Sequence, residues 1–534
     1  MKKVIALIIL LIAAIFAVAA LYFSKVNVSN RNNGVVLSYI PADACLVASV
    51  RFDKATSEIF DDYEGFETLL GRDEFRKLSS LNDTLLSYPA ISNLLNESNI
   101  YFSVHAKNDD KEDNLLFLAA LNKKISTAEL QSILKTVKNI SVENLKIGDK
   151  EAFNINVGTS KNNFFLFVGN NAVVASFSKK LLEKSLGNMP KISNEYIGQI
   201  TSGGQRSENS PFNIYINHSQ VNSFTESFYS FPKNKSNLLA ELSGYSSLNM
   251  NFKSDALMFN GISTIDTNKS AYLACFLHQK PIRNDIIKAL PQITAAYTVF
   301  GIFDYRLFFN DVAALLTRRG QYDELKKKIQ QVKSETGIDL ERDLKSYLGN
   351  EFALIQLSNQ EKLAVIHVKN GDKVDFFLQP VSSVYAENIH HVNYSEIFYN
   401  YFGDALKPFY KPFYTVVDNY LILSNSAAAL NQFTIEYKRD LLLNNTENFN
   451  DFTKYTANQS NISFFLNIKN FRQIAASDLK SPISKSFKDE EGLKKFYSFS
   501  WQWSSDRDHF FTNFYANFSR QKQQPDSLPK FTQP

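Results

Sequence analysis

Five landmarks recur in the same order at an offset of 248 to 251 residues, and a chain that repeats itself on this scale is constrained to fold as two copies of one plan. Ile40-Pro41, a strand running to Phe52-Asp53 and a helix match Leu290-Pro291, a strand running to Phe303-Asp304 and a helix. Tyr101 to Val104 aligns with Glu351 to Leu354 at an offset of 250. Phe167 to Val174 and Thr415 to Ile422 both read apolar, turn, apolar, with Asn and Asp at the centre, where they tolerate the positive φ of a tight hairpin. Each hairpin is followed by Ser-x-Ser and a helical run: Ser176 and Ser178 before KKLLEKSL, Ser424 and Ser426 before AAALNQF. Ser178 and Ser426 are predicted N-caps, which assigns them to helix starts and not to catalysis. Asn213 to Asn217 matches Ser463 to Asn467, and the alternating Leu248, Met250, Phe252 matches Phe499, Trp501, Trp503 at 251. Period-two alternation with one apolar face predicts half-buried antiparallel strands.

The expected fold class is therefore α+β: an N-terminal single transmembrane helix, then two tandem related units of antiparallel sheet plus helices. The domains read as a signal anchor (1–23), a tether (24–35), a first α+β unit (36–283), a second α+β unit (284–519) and a disordered tail (520–534). Strands and helices do not alternate strictly, which argues against a doubly wound parallel sheet. The largest helical region is expected from about Asp304 to Leu348, and its charged stretch DELKKKIQQVKSE reads as a solvated helix face.

Val4 to Phe23 is a run of 20 residues without charge, Gly or Pro, and 13 of them are Ile, Leu, Val or Phe. As a helix it covers roughly 30 Å, the thickness of a hydrocarbon core. Its rival is a signal peptide cleaved after Ala19, since Ala17-Val18-Ala19 is a small-x-small site. The apolar run continues through Leu21, Tyr22 and Phe23, which favours an uncleaved anchor. Lys2 and Lys3 favour a cytoplasmic N-terminus, although Lys25 and Arg31 reduce the asymmetry. The body is then expected outside the cytoplasm, periplasmic and held to the inner membrane. No Cys follows the apolar run, so lipid acylation there is excluded.

With 534 residues the chain exceeds one typical domain, and 45 Phe and 25 Tyr suit sheet more than helical bundles. The 58 basic and 54 acidic residues nearly balance, so no bulk attraction for nucleic acid exists. Cys45 and Cys275, both in apparent strands, leave two readings open: buried free thiols, or one disulfide in an oxidising compartment.

Motifs that carry chemistry are missing. The sequence has no G-x-x-x-x-G-K-[ST] phosphate cradle, no G-x-G-x-x-G, no G-x-S-x-G elbow, no H-E-x-x-H and no C-x-x-C. His390-His391 is the nearest approach to a metal site, but adjacent residues of a strand point to opposite faces. His105 shares a strand face with Tyr101 and Ser103; His218, His278, His367 and His509 stand alone. The pairs Asp61-Asp62, Asp109-Asp110 and Glu490-Glu491 are adjacent in sequence, which is not the facing geometry of acid-base work. No catalytic, cofactor-binding or metal residue is predicted, and no cofactor. A Ser-His-Asp triad built from distant residues stays open.

Ile40-Pro41-Ala42-Asp43-Ala44, following an anchor and leading into the strand Leu46 to Phe52, resembles the bacterial membrane-anchored envelope proteins of the domain of unknown function 3352 family. The second unit departs from that motif at Leu290-Pro291-Gln292. The resemblance implies a membrane-anchored bacterial protein of unassigned activity and brings no catalytic residues. The expected function is a non-enzymatic extracytoplasmic protein that binds another envelope protein or polymer. One alternative is a carrier or sensor of an apolar ligand such as lipid, with Phe499 to Trp503 and Phe510 to Phe518 lining a cavity or else filling a core. The other is a cryptic hydrolase, betrayed by a cleft where Ser, His and Asp converge.

Overall fold

The structure, a computed structural model, describes residues 33–50, 84, 88–95, 99–106, 113–157, 163–206, 212–230, 238–239, 241–253, 256–489 and 492–519. The expected anchor, most of the tether, the tail, and the pairs Asp61-Asp62, Asp109-Asp110 and Glu490-Glu491 lie outside the described residues. Among the described residues no helix is long and apolar enough to cross a membrane.

The first half of the chain carries β1 (Ala44–Val50), β2 (Ile100–His105), β3 (Leu115–Ala120), β4 (Ile140–Ile147), β5 (Lys150–Val157), β6 (Asn163–Gly169), β7 (Ala172–Ser176), β8 (Phe212–Asn217), β9 (Tyr245–Lys253) and β10 (Ala256–Thr264). The connection holds β11 (Ile282–Arg283). The second half carries β12 (Thr294–Gly301), β13 (Leu348–Leu357), β14 (Lys362–Val368), β15 (Ser382–Ala386), β16 (Ile389–Val392), β17 (Phe413–Val417), β18 (Tyr420–Ser424), β19 (Gln459–Ser460), β20 (Ile462–Asn467), β21 (Phe496–Asp506) and β22 (His509–Phe518). β11 and β19 form a small sheet of two; the other strands join into one 20-stranded antiparallel sheet.

Across the first half the pairing order is β4, β5, β6, β7, β3, β2, β1, β8, β9, β10. Across the second it is β15, β16, β17, β18, β14, β13, β12, β20, β21, β22, the same order strand for strand. The halves meet where β10 pairs β22. The two hairpins at this junction turn alike, Lys253 opposite Ala256 and Asp506 opposite His509, a shift of 253 residues. That shift exchanges the pairs Ala256↔Asn517 and Thr264↔His509 and carries Asn260↔Asn513 onto itself. A local two-fold axis therefore passes between two asparagines.

Smaller details repeat too. The first strand of each half has a β-bulge at the same place, between Ala44 and Leu46 and between Thr294 and Ala296. Ahead of it Pro41 bridges Lys191 and Pro291 bridges Leu442. The Ser-x-Ser motifs act identically. Ser178 Oγ accepts from Leu181 N (3.2 Å) and Ser426 Oγ from Ala429 N (3.3 Å), so both predicted N-caps are present. Ser176 Oγ accepts from Ser178 N and donates to Leu115 O, while Ser424 Oγ accepts from Ser426 N and donates to Lys362 O. Each motif thus caps a helix and ties it to the neighbouring strand.

β1 (ACLVASV) is buried along its whole length because both sheet faces are covered. One face lies in a core shared by both halves, where Leu46, Phe102 and Phe259 join Phe300, Trp501 and Phe514. The other face has a private core in each half, with Val47, Tyr101 and Tyr215 in the first and Tyr297, Val299 and Phe465 in the second. Rings of the aromatic closing strands pack on one another within the shared core, Phe496 on Phe518 at 4.4 Å and Trp503 on Phe510 at 5.2 Å between centroids. The junction is stitched by a buried polar chain, His218 Nε2 to Ser246 Oγ (2.7 Å), Ser246 to Ser263 (2.6 Å) and Ser263 to Thr512 (2.6 Å). Burial pushes His218 down to about 3, so it serves this chain as neutral imidazole.

Three expectations are corrected. The register offset is 252 for β2 against β13 and 253 for β9 against β21, since Phe102 sits opposite Ala48 as Leu354 does opposite Thr298, and Leu248 opposite Ile214 as Trp501 does opposite Phe464. Both slips are even, so every side chain keeps its face. The helical region after Asp304 is two helices, Tyr305–Arg318 and Tyr322–Thr336, parted at Gly320, whose φ of +69° a helix does not contain. Cys275 lies in the 3-10 helix Tyr272–Phe276 and not in a strand; of the two readings left open for Cys45 and Cys275, the structure has both as buried free thiols.

Candidate functional site

Three polar constellations are candidates for a site. The first stands at the start of β1. His105 Nδ1 lies 3.0 Å from Asp43 Oδ1, His105 Nε2 lies 2.9 Å from Ser103 Oγ, and Lys184 Nζ donates to Asp43 Oδ2 at 2.5 Å. Burial alone would raise the Asp43 carboxyl, but hydrogen bonds and charge from His105 and Lys184 outweigh it and hold the group well below the usual carboxylate range. The order Ser, His, Asp is that of an acyl-transfer triad. A nucleophile must meet its substrate, however, and Ser103 is 0% exposed in the middle of β2, with β1 on one side and β3 on the other. The arrangement is a hydrogen-bond relay, buried at Ser103 and His105 and part-exposed at Asp43 and Lys184, that ties the loop before β1 to β2.

The second constellation is a cavity of about 520 Å³ on the private face of the second half. Its floor is the sheet: Tyr297 of β12, Ser463 of β20, Ser500 and Gln502 of β21. One wall is the short helix Glu447–Thr453, presenting Phe449, Asn450, Phe452 and Thr453. Another is the run Thr456 to Gln459, pinned to the floor because the Gln502 side-chain amide donates to Ala457 O (2.9 Å) and accepts from Ala457 N (2.8 Å). The third wall is the connection between the halves, from Arg283 to Lys288. It is held by β11 against β19 and by Asn284, whose Oδ1 accepts from Ser460 Oγ (2.5 Å).

The aromatic part of the lining is rigid, with Tyr297 stacked on Phe465 at 4.9 Å and Phe452 against the same ring at 5.0 Å. The charges are clustered on one wall: Asp285 Oδ1 is 2.6 Å from Lys288 Nζ and 3.2 Å from Arg283 Nε, two cations on one carboxylate. Two lining atoms, Ser500 Oγ and Asn444 Oδ1, are buried and make no hydrogen bond. Such groups are few in native proteins and commonly face a water or a ligand.

The third constellation is a pocket of about 330 Å³ that shares Arg283 and Asp285 with the cavity and is closed by Asn350, Glu351, His367 and Tyr420. Glu351 Oε2 accepts from Ile286 N at 3.0 Å, which fastens the connection to the start of β13. Burial pushes the Glu351 carboxyl up to about 7, with the negative charge of Asp285 adding to the rise and the backbone N–H groups of Ile286 and Asp285 opposing it. Burial lowers His367 against the opposing charge of Asp285, and its ring lies 5.9 Å from that of Tyr420 between centroids.

The family described as protein of unknown function (DUF3352) matches residues 4–485. This chain belongs to that family. Neither a curated protein nor a solved structure matches it. Within this DUF3352 chain, His390 and His391 lie back to back on β16, His390 stacked on Tyr414 (5.1 Å) and His391 against Phe413 (4.8 Å). Among the described residues no group of three His, Cys, Asp or Glu is placed to hold a metal ion. The cysteines are chemically quiet, burial raising Cys45 well above its ordinary value and Cys275 to about 12.

Sequence reasoning noted His105 and Ser103 on one face but missed Asp43 as their partner, and it missed Glu351, Asp285 and the cavity altogether. The available signal for the cavity was compositional: Asn444 to Asn461 is dense in Asn and Thr where the first half, from 194, has a 13-residue helix.

Proposed function

We propose that this chain is a membrane-anchored, extracytoplasmic, non-enzymatic binding protein whose duplicated body (36–283 and 284–519) displays a ligand site in the second unit. The anchor at Val4 to Phe23, the cytoplasmic N-terminus and the tether to residue 35 are part of this reading. The observation that carries it is the cavity of about 520 Å³, floored by the sheet and walled by the connection and the segment from Asn444 to Gln459. Its volume falls among ordinary small-ligand sites, about 300–1,000 Å³. The two arrangements that resemble reaction centres are both committed to structure: Ser103 is sealed within the sheet, and Glu351 holds the Ile286 amide. The aromatic closing strands, candidates for an apolar ligand tunnel, pack ring to ring in the shared core, which favours a polar ligand over a lipid.

The test has two arms. Protease added outside sealed cells should digest the body only after the outer barrier is opened, leaving the first residues protected; digestion from the cytoplasmic side would overturn the topology. Filling the cavity with Ser500→Phe should abolish retention of whatever the full-length protein carries from its own membrane. Unchanged retention by a folded variant would overturn the site.

A further inference from the structure

We propose that the ligand of the second-half cavity is a hydroxyl-rich oligosaccharide, an assignment that rests on the binding reading above and narrows it. Side-chain amides dominate the polar lining. Asn284 and Gln502 are spent on the walls themselves, through Ser460 and Ala457, while Asn450, Asn458 and Gln459 stand on the exposed rim. A side-chain amide offers a donor and an acceptor side by side, which suits a ligand whose groups do both, as sugar hydroxyls do. Ser463 adds a hydroxyl of the same dual character, Thr453 and Thr456 add hydroxyl acceptors whose protons are given to Asn450 O and Thr453 O, and Ser500, 2% exposed, has a hydroxyl with no partner.

Tyr297, Phe449 and Phe452, each 2% exposed or less and packed on Phe465, form the apolar back of the cavity behind these groups and offer a ligand little ring surface. Formal charge is present as Arg283 and Lys288 sharing the one carboxylate of Asp285, a net single positive charge on the solvent-exposed wall, which disfavours a cationic ligand and leaves the floor uncharged.

A peptide is the main rival, and the floor disfavours it. Peptides that bind sheets do so along an unpaired strand edge. Here β12 pairs β13 and β20, β20 pairs β12 and β21, and β21 pairs β20 and β22, so the floor offers side chains and no free backbone. Recognition has to run through amides and hydroxyls, the groups that pair with the hydroxyls of a glycan.

The full-length chain, kept in a detergent without a sugar headgroup, would be titrated calorimetrically with chitotetraose and with cellotetraose. Saturable binding of at least one is expected, weakened about tenfold or more by the exposed double change Asn450→Ala and Asn458→Ala. Asn154→Ala, in the first half, should leave it unaltered, and equal melting temperatures would show that the variants are folded. If neither glycan binds, or if binding ignores the double change, the oligosaccharide assignment is overturned. The parent reading fails separately, when Ser500→Phe leaves unchanged the material retained from the native membrane. Loss of that material together with silence from both glycans keeps the site and replaces its ligand class, with saturable binding of a neutral tetrapeptide as the alternative result.

Discussion

The two halves of the sheet share strand order, bulges, bridges and helix caps, yet they place their polar residues at opposite ends of the same skeleton. Where the first half has Asp43, Ser103, His105 and Lys184, the second has Ile293, Ile355, Leu357 and Gln432 at the matching register positions. Where the second half has Glu351, His367 and Tyr420, the first has Asn99, Ala120 and Ala172. The space over the private face differs in the same sense. In the first half the helix Asn194–Arg206 fills it, with Tyr196 stacked on Tyr245 at 4.8 Å and donating to Tyr215 O at 2.7 Å. In the second half a seven-residue helix and an amide-rich run leave a cavity. The backbone plan tolerates either solution, so the polar sites are additions to the fold and not requirements of it. One half is specialised for closure, the other for access.

The largest effect expected from erasing this difference is at Glu351. Its carboxyl titrates at about 7 in the folded chain against an ordinary 4.5. Between those values the folded chain holds a proton that the unfolded chain has released, so this contribution to stability is complete below pH 4.5 and is lost as pH rises through 7. The loss is worth roughly 3 kcal/mol once both states are ionised. Glu351→Gln keeps an acceptor for the Ile286 amide and removes the titration. Urea unfolding should show the variant more stable than the parent at pH 8.5 by up to that amount, with the gap closing towards pH 5. A gap that does not change with pH would mean that the carboxyl is not the titrating group.

Converting the first half's relay into the second half's apolar residues should show strong non-additivity. Asp43→Ile alone leaves the buried His105 ring and the Lys184 ammonium without their acceptor and should cost about 2 kcal/mol, the partial exposure of Asp43 moderating the loss. The triple change Asp43→Ile, Ser103→Ile, His105→Leu removes both ends of the two histidine bonds, leaves only the part-exposed Lys184 ammonium to water, and should return stability to within about 1 kcal/mol of the parent. An additive triple would show that the relay is not acting as a unit.

The plan common to both halves was the legible part. Ile40-Pro41, the Asn-centred hairpins and the Ser-x-Ser caps were readable because turns and caps demand particular residues at particular positions. Register was readable only modulo two: an alternating run such as Leu248 to Phe252 matches its counterpart equally well after any even slip. Cys275 was misplaced because YLACFL is a short apolar run whose period decides nothing between strand and buried helix. The polar sites escaped for a different reason. Ser103 and His105 are two apart on one strand, but their third member, Asp43, comes from 62 residues away and is brought in by the bulged pairing of β1 with β2. The cavity lining has no period, and in sequence its Asn and Thr residues resemble any solvated loop.

The Ser-x-Ser ties supply a sharper measure of equivalence. Ser176→Ala and Ser424→Ala each remove a bond to the start of a helix and one to a neighbouring strand carbonyl, and each should cost about 1–2 kcal/mol. Equal values by thermal unfolding would mean that the duplicated scaffold is energetically as well as geometrically repeated. A difference above about 1 kcal/mol would mean that the private cores have diverged beneath it.

The smallest effect on stability is expected at the sheet ends, where the comparison turns on charge. β4 closes one end and carries Glu143 and Lys146; β15 closes the other with SSVYA, in which Val384 is 77% and Tyr385 62% exposed. An uncharged edge strand with exposed apolar side chains can template pairing with another chain, and a lysine on such an edge opposes it. Val384→Lys removes no buried contact, so it should change unfolding free energy by less than about 0.5 kcal/mol. Sedimentation velocity over rising concentration should show the parent associating through this edge and the variant remaining dispersed. Identical behaviour of the two would mean that the ends are equivalent despite their charge, and the asymmetry of the halves would then reside in their polar interiors alone.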